Sequence, residues 1–319
     1  MKSLLCLALA LGFSRAAAVE SGPDQSPVPT RSGATSIVFP LRADPRRAIA
    51  AGEDHSLALR TDGTVAAWGY NYNNRITPPA GLTGVVALAA GNKYSLALRA
   101  DGTVVAWGDE FGGRTAPPKN LSRVIAIAAG YGHALALTAD RRVVGWGNAA
   151  DGRTTAPQGL REVIAIAAGR DHSLALQADG TVVQWGRSLP SSGRPAPADL
   201  HHVVAIAAGG DFSLALKSDG TVVGWGQDFF GQASDAAKLR EVNAIAAVDE
   251  SALALKADGT VAFWGRGVSP PKSLTGVIAI AAGPEHNLAL KADGTVVAWG
   301  SNLKGKAAPP AGLRVLAQP

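Results

Sequence analysis

AAGRDHSLALQADGTVVQWG, residues 167–186, returns with small changes seven times along the chain. Its tryptophan recurs as Trp68, Trp107, Trp146, Trp185, Trp225, Trp264 and Trp299, at spacings of 39, 39, 39, 40, 39 and 35. Glycine follows every one. About eleven residues earlier stands a Leu-Ala-Leu, as at Leu57-Ala58-Leu59 and Leu288-Ala289-Leu290. A run of small residues comes before that, as at Ala126-Ile127-Ala128-Ala129-Gly130. A fixed period of this length marks a repeat architecture in which neighbouring units bury one another.

Each unit reads as four short strands. The first, strand a, is the Val/Ile/Ala run, and its small side chains suit the crowded centre of a radial array. Strand b carries Ser-Leu-Ala-Leu. A turn follows at Asp62-Gly63, Asp101-Gly102, Asp179-Gly180, Asp219-Gly220, Asp258-Gly259 and Asp293-Gly294, and Asp140-Arg141 alone departs. Such dipeptides accept positive φ and close hairpins. Strand c is Thr-Val-Val-x-Trp-Gly, and a loop leads to a weaker strand d and a proline-rich return, as at Pro117-Pro118. Seven such units predict an all-β chain, a seven-bladed β-propeller of four-stranded antiparallel blades over residues 37–319. Residues 314–317 and 37–39 offer spare strands to close the ring, and either terminus can supply the closing one.

Of the 319 residues, 47% are apolar and 17% charged, enough for a large core. The 38 glycines and 19 prolines favour many turns over a helical bundle. Cys6 is the one cysteine, so there is no disulfide framework. It lies in a segment read as a secretory signal peptide, residues 1–18: Lys2 is a positive start, residues 4–13 are apolar, and Ala16-Ala17-Ala18 offer a cleavage site. Residues 19–36 read as a flexible leader. The mature chain is expected to be secreted or periplasmic, bacterial and monomeric, with no membrane span. The net charge of +5 is spread without a basic block, so nucleic acid is not an expected partner.

The pattern Ala-Ala-Gly-x-x-His-Ser-Leu-Ala-Leu-x-x-Asp-Gly-Thr-Val-x-x-Trp-Gly closely resembles the regulator of chromosome condensation repeat, in all seven units. The period and the signal look most like the secreted bacterial branch, which includes a β-lactamase-inhibitor propeller. Other members imply guanine-nucleotide exchange. Inhibitor-type propellers carry aromatics just before the repeat's histidine. The matching residues here are Asp54, Lys93, Gly132, Asp171, Asp211, Glu250 and Glu285, none aromatic, and weak β-lactamase inhibition is expected.

Histidine recurs at His55, His133, His172 and His286, with Tyr94, Phe212 and Ser251 in the same slot elsewhere. One histidine per blade is too dispersed for a metal site. The expected role is a hydrogen bond bracing the turn between strands a and b. Asp54-His55-Ser56 has the residue types of a hydrolase triad, but adjacent strand residues point to opposite faces. Gly300 to Lys306 approaches a phosphate loop but is followed by Ala307 and prolines. No catalysis, cofactor or metal is expected.

In an antiparallel blade the a–b and c–d loops share one face. Tyr70, Tyr72, Phe111, Tyr131, Phe229 and Phe230 all fall in these loops. Asp54, Asp171, Asp211, Glu250 and Glu285 suggest an inner acidic ring there, and Arg75, Arg114, Arg153, Arg194 and Lys306 an outer basic one. Aromatics and arginine are enriched at binding hot spots. The expected function is non-catalytic binding of a protein or other macromolecule through this face. Inhibition of a secreted hydrolase, guanine-nucleotide exchange, and envelope or carbohydrate binding are the alternatives.

Overall fold

The computed structural model describes residues 44–187, 194 and 196–317. The signal peptide, the leader and the spare strand at 37–39 lie outside them. Seven antiparallel sheets follow one another along the chain. In the first, Ile49–Ala51 pairs with His55–Leu59, which pairs with Val65–Gly69. In the fourth, Val163–Ala168, His172–Gln177 and Val182–Gly186 do the same. The middle strands of blades 2, 3, 5, 6 and 7 are Tyr94–Arg99, His133–Thr138, Phe212–Lys217, Ser251–Lys256 and His286–Lys291.

Each sheet has three strands, not the expected four. In blades 1, 2, 3 and 7 the chain makes a single 3-10 turn after the Trp-Gly, as at Tyr72–Asn74 and Phe111–Gly113. It then runs past the outer strand closely enough that a Cβ on Gly145 would lie 2.3 Å from the Thr154 carbonyl oxygen. Prolines such as Pro117 and Pro118 follow. They have no N–H to give to a ladder, and among the described residues the return segment pairs only as a single bridge, Arg194 with Gly226 of the next blade.

The middle strands explain the Leu-Ala-Leu. Side chains alternate faces along a strand, so Leu174 and Leu176 point towards blade 5. There they share a buried cluster with Ala215, Val203 and Trp225. Blade 3 offers Leu135 and Leu137 to Ala175 and Trp185 in the same way. Each interface is thus a large-into-small fit of two leucines against the next blade's alanine, closed at the outside by its tryptophan. All seven tryptophans are buried. The glycine after each has positive φ, 110° at Gly69, and a Cβ there would come within 2.4 Å of the Asp54 carbonyl oxygen. The turn between middle and outer strand is held by its aspartate, as in Thr64 N to Asp62 Oδ1 at 2.9 Å. Where glycine is missing, Arg141 takes the left-handed conformation itself, φ 65°.

The C-terminus closes the ring. The inner strand of blade 1 has three residues against six in blade 2. Val315 fills the vacancy: it bridges Arg60, and Leu316 N donates to Leu59 O at 3.1 Å. Val315 N also donates to Gly294 O, as Val85 N does to Gly63 O and Val124 N to Gly102 O one blade further on. The first inner strand is therefore assembled from both ends of the described chain. Val315 is 2% exposed. Val315→Asp, which buries a charge at this seam, is expected to cost about 3 kcal/mol or more in urea unfolding. The neighbouring exposed Arg314→Ala should cost under about 0.5 kcal/mol.

Candidate functional site

The loop face is built on a hydrogen-bonded node at the blade interfaces. Trp107 Nε1 and Ser95 Oγ, both in blade 2, donate to the same backbone oxygen of Arg75 in blade 1, at 2.9 and 3.1 Å. Trp185 and Ser173 share Arg153 O, and Trp68 and Ser56 share Lys306 O across the closing seam. Once its proton is given to that carbonyl, the serine can only accept. It accepts from the histidine of the preceding blade: His55 Nε2 to Ser95 at 3.0 Å, His133 to Ser173 at 2.9 Å, His172 to Ser213 at 3.0 Å and His286 to Ser56 at 2.7 Å. The histidine thus braces the next blade, not its own turn as expected.

The slots are matched in pairs around the ring. Histidine in one blade goes with serine in the next. Tyr94 goes with Ala134 and reaches past it to the His133 carbonyl oxygen. Phe212 goes with Ala252, and Ser251 with Asn287. A large ring meets a methyl, a donor meets a hydroxyl, and a small residue meets a longer one. His133→Phe and Ser173→Ala should each cost about 1–3 kcal/mol. Together they copy Phe212 and Ala252, and a double-mutant cycle should return at least about 1 kcal/mol.

Burial pushes these histidines down, His55 and His133 to about 3 and His172 and His286 to about 4, with the Arg75 and Arg153 charges adding to the shift at His55 and His133. They are neutral in the folded chain. In the unfolded chain they protonate near 6.5. The unfolded state therefore binds more protons below about pH 6.5, and stability falls with pH down to about 4. Each histidine contributes a slope of at most about 1.4 kcal/mol per pH unit in that window. Thermal melts between pH 7 and 5 should show a steep loss that the His133→Phe, Ser173→Ala protein shows less steeply.

The basic residues expected on an outer ring are instead largely inside. Arg75, Arg114, Arg153 and Lys306 are all buried, while Arg194 is exposed. The three buried arginines clamp the loop: Arg75 Nε donates to Tyr72 O, Arg114 Nε to Phe111 O and Arg153 Nε to Ala150 O, three residues back in each case. That bond closes the 3-10 turn and turns its first side chain outwards. Tyr72 is 56% exposed and Phe111 74%. Phe229, three residues before Gln232, is 71% exposed, and Leu303, three before Lys306, 65%. Tyr70, Tyr131 and Phe230 are exposed as well, so all six expected aromatics reach solvent. Tyr70 and Tyr72 are stacked, and Lys304 Nζ lies 4.1 Å from the Tyr70 ring centre. Because the ring closes, Leu303, Tyr72 and Phe111 stand on three consecutive blades. Leu303 was missed because it is aliphatic; its place three residues before the base was the available signal.

The acidic residues are engaged with cations of the same chain. Asp54 meets Lys304 at 2.9 Å, Lys306 at 3.2 Å and Arg75 at 4.0 Å. Burial alone would raise its pKa, but the bonds from Lys304 and Lys306 hold it below the ordinary range. Asp171 pairs with Arg153 and Arg187, Glu250 with Arg266 and Glu285 with Lys306. Asp211 adds its field to Arg170. The acids and bases form separate clusters, the largest of them Asp54 and Glu285 with Arg75, Lys304 and Lys306 across the closing seam. The aromatic rings lie against these cations, Tyr70 beside Lys304 and Phe111 beside Arg114, and their exposed faces are what the surface offers to another molecule.

The match to the family model of the Regulator of chromosome condensation (RCC1) repeat covers residues 47–75, 85–113, 124–153, 163–193, 203–232 and 277–306. The sixth blade is outside the match. It has Val248 for the usual glycine, Ser251 for the histidine, and the shortened 35-residue spacing after Trp264. No curated protein matches the chain. Among solved structures, the Physcomitrella patens receptor kinase CR4 ectodomain is 21% identical, over 80% of this chain and 73% of that one, with a TM-score of 0.69. The ectodomain of the Arabidopsis thaliana receptor kinase ACR4 is 21% identical, over 84% and 98%, with a TM-score of 0.66. Yeast RCC1 (Prp20), crystallised bound to Kap60, is 22% identical, over 85% and 75%, with a TM-score of 0.52.

Proposed function

Because the chain belongs to the Regulator of chromosome condensation (RCC1) repeat family, we propose that it is a secreted, non-catalytic β-propeller that binds a macromolecule, in the first place a protein, through its a–b and c–d loop face. One observation carries the reading. The same position carries a large apolar side chain in solvent in four blades: Tyr72 and Phe111, whose turns an arginine clamps, and Phe229 and Leu303. Scaffold requirements do not explain this, since Ala150 fills the position in blade 3 and its turn forms equally well. Exposed apolar groups gathered on one face of a soluble protein mark an interaction surface. The rim also supplies cations beside the rings, with Arg266 5.8 Å from the centre of Phe230 and Arg114 5.5 Å from Phe111. Such mixed aromatic and arginine surfaces suit protein partners. Export with loss of residues 1–18 belongs to the same reading and rests on the sequence of that segment.

The test is Phe229→Ser with Phe230→Ser. Both side chains are exposed and support little of the core, so the melting temperature should move by less than about 2 °C. Capture of the partner from the native host's secreted proteins, by the purified mature chain, should weaken by roughly a hundredfold or more. Unchanged capture by the variant would place the binding surface elsewhere.

A further inference from the structure

Seven near-identical units all differ at a position beside the central channel. The residue after the one that ends each inner-strand run is Glu53, Asn92, Tyr131, Arg170, Gly210, Asp249 or Pro284, a different residue in every blade. Positions that hold the ring together recur, because every interface imposes nearly the same geometry. This position lacks that constraint, and six of the seven residues line one cavity of about 90 Å³ at the mouth of the central channel. That is room for one small group, such as the tip of a side chain, and not for a whole drug-sized ligand.

The groups in this mouth are fixed but not all satisfied. Arg170 crosses from blade 4 to Asp249 of blade 6, Nη2 to Oδ1 at 3.0 Å, and lies 5.8 Å from the centre of the Tyr131 ring. Its charge is therefore compensated. Asn92 is 6% exposed, and its Oδ1 is buried with no hydrogen-bond partner. Glu53 stands in the adjacent blade, its N–H bonded to Asn92 O at 3.3 Å. Among the described residues its carboxylate forms no ion pair, and Lys306 Nζ donates instead to the Glu53 backbone oxygen at 3.3 Å. The mouth thus holds a buried acceptor that lacks a donor and a carboxylate that lacks a cation, in neighbouring blades, with an exposed tyrosine in the third.

We propose that the channel mouth binds a cationic N–H donor, a guanidinium or alkylammonium group. It would set its charge against Glu53, lie beside Tyr131 and, once the buried Asn92 amide turns towards it, donate to Oδ1. A buried acceptor favours a ligand that donates to it, because leaving it bare costs the desolvation of that group. Adding the cation's charge to Glu53 makes the bond charge-assisted. The same chemistry fits a free small molecule and an arginine or lysine side chain of a partner. It does not depend on the aromatic rim.

Calorimetric titration of the full mature chain with N-acetylarginine methylamide tests the proposal, with the citrulline analogue and acetate as neutral and anionic controls. Saturable binding of the arginine probe alone is expected. Glu53→Gln and Asn92→Leu should each weaken it at least tenfold with the melting temperature unchanged. Asn92→Asp, which keeps the shape and adds charge, should tighten it, and this holds the test open if Asn92→Leu fails to fold. A peptide with an internal arginine that binds at least tenfold more tightly than the free probe assigns the site to a partner's side chain; equal or weaker binding assigns it to a small ligand. Failure of the arginine probe to bind, equal binding by Glu53→Gln, or preference for citrulline or acetate overturns the proposal. The rim variant Phe229→Ser, Phe230→Ser should bind the probe unchanged.

Discussion

One backbone carbonyl between neighbouring blades accepts two hydrogen bonds, and the rest of the ring is arranged around it. At Arg75, Arg153 and Lys306 the oxygen takes an indole N–H and a serine hydroxyl from the next blade. Both of its lone pairs are used. The indole cannot rotate away without leaving a buried donor unpaired, so the tryptophan is fixed against the preceding blade. The serine, its proton committed, fixes the histidine. In this way a single acceptor sets the distance and tilt of two blades, and the leucine-into-alanine packing fills the space so defined. At Trp225 the side-chain oxygen of Gln184 does the same work, 2.8 Å from the indole nitrogen.

The node also fixes where charge can go. At Arg75 and Arg153 the carbonyl belongs to the residue whose side chain clamps the preceding loop, so that residue is drawn into the interface along with its backbone. An arginine there is buried with its charge, which demands an acid nearby. Asp54, Asp171 and Glu285 meet the demand made by Arg75, Arg153 and Lys306. What remains for other molecules is what the clamp pushes outwards, the apolar residue three positions back, and what the node does not reach, the channel mouth. The loop face therefore divides into an outer rim of exposed rings and an inner mouth of polar groups, both set by one repeated constraint.

The sequence alone determined the number of units, the burial of the tryptophans and the face that carries the aromatics. Each follows from local chemistry that repetition makes readable: a period near 39 residues, an alternation of two in Leu-Ala-Leu, and turns that need positive φ at glycine. Tertiary structure decided the rest. That Arg75 is buried while Arg194 of the same slot is exposed depends on which carbonyl the next tryptophan reaches, and nothing within one unit records it. The pairing of Tyr94 with Ala134 and of Phe212 with Ala252 is written in the chain, but it connects residues 40 apart and has meaning only once blades are neighbours. The missing fourth strand and the seam at Val315 are of the same kind. Hydrogen bonding between segments distant in sequence is settled by which donors and acceptors the closed ring brings together, and a linear pattern does not specify that geometry.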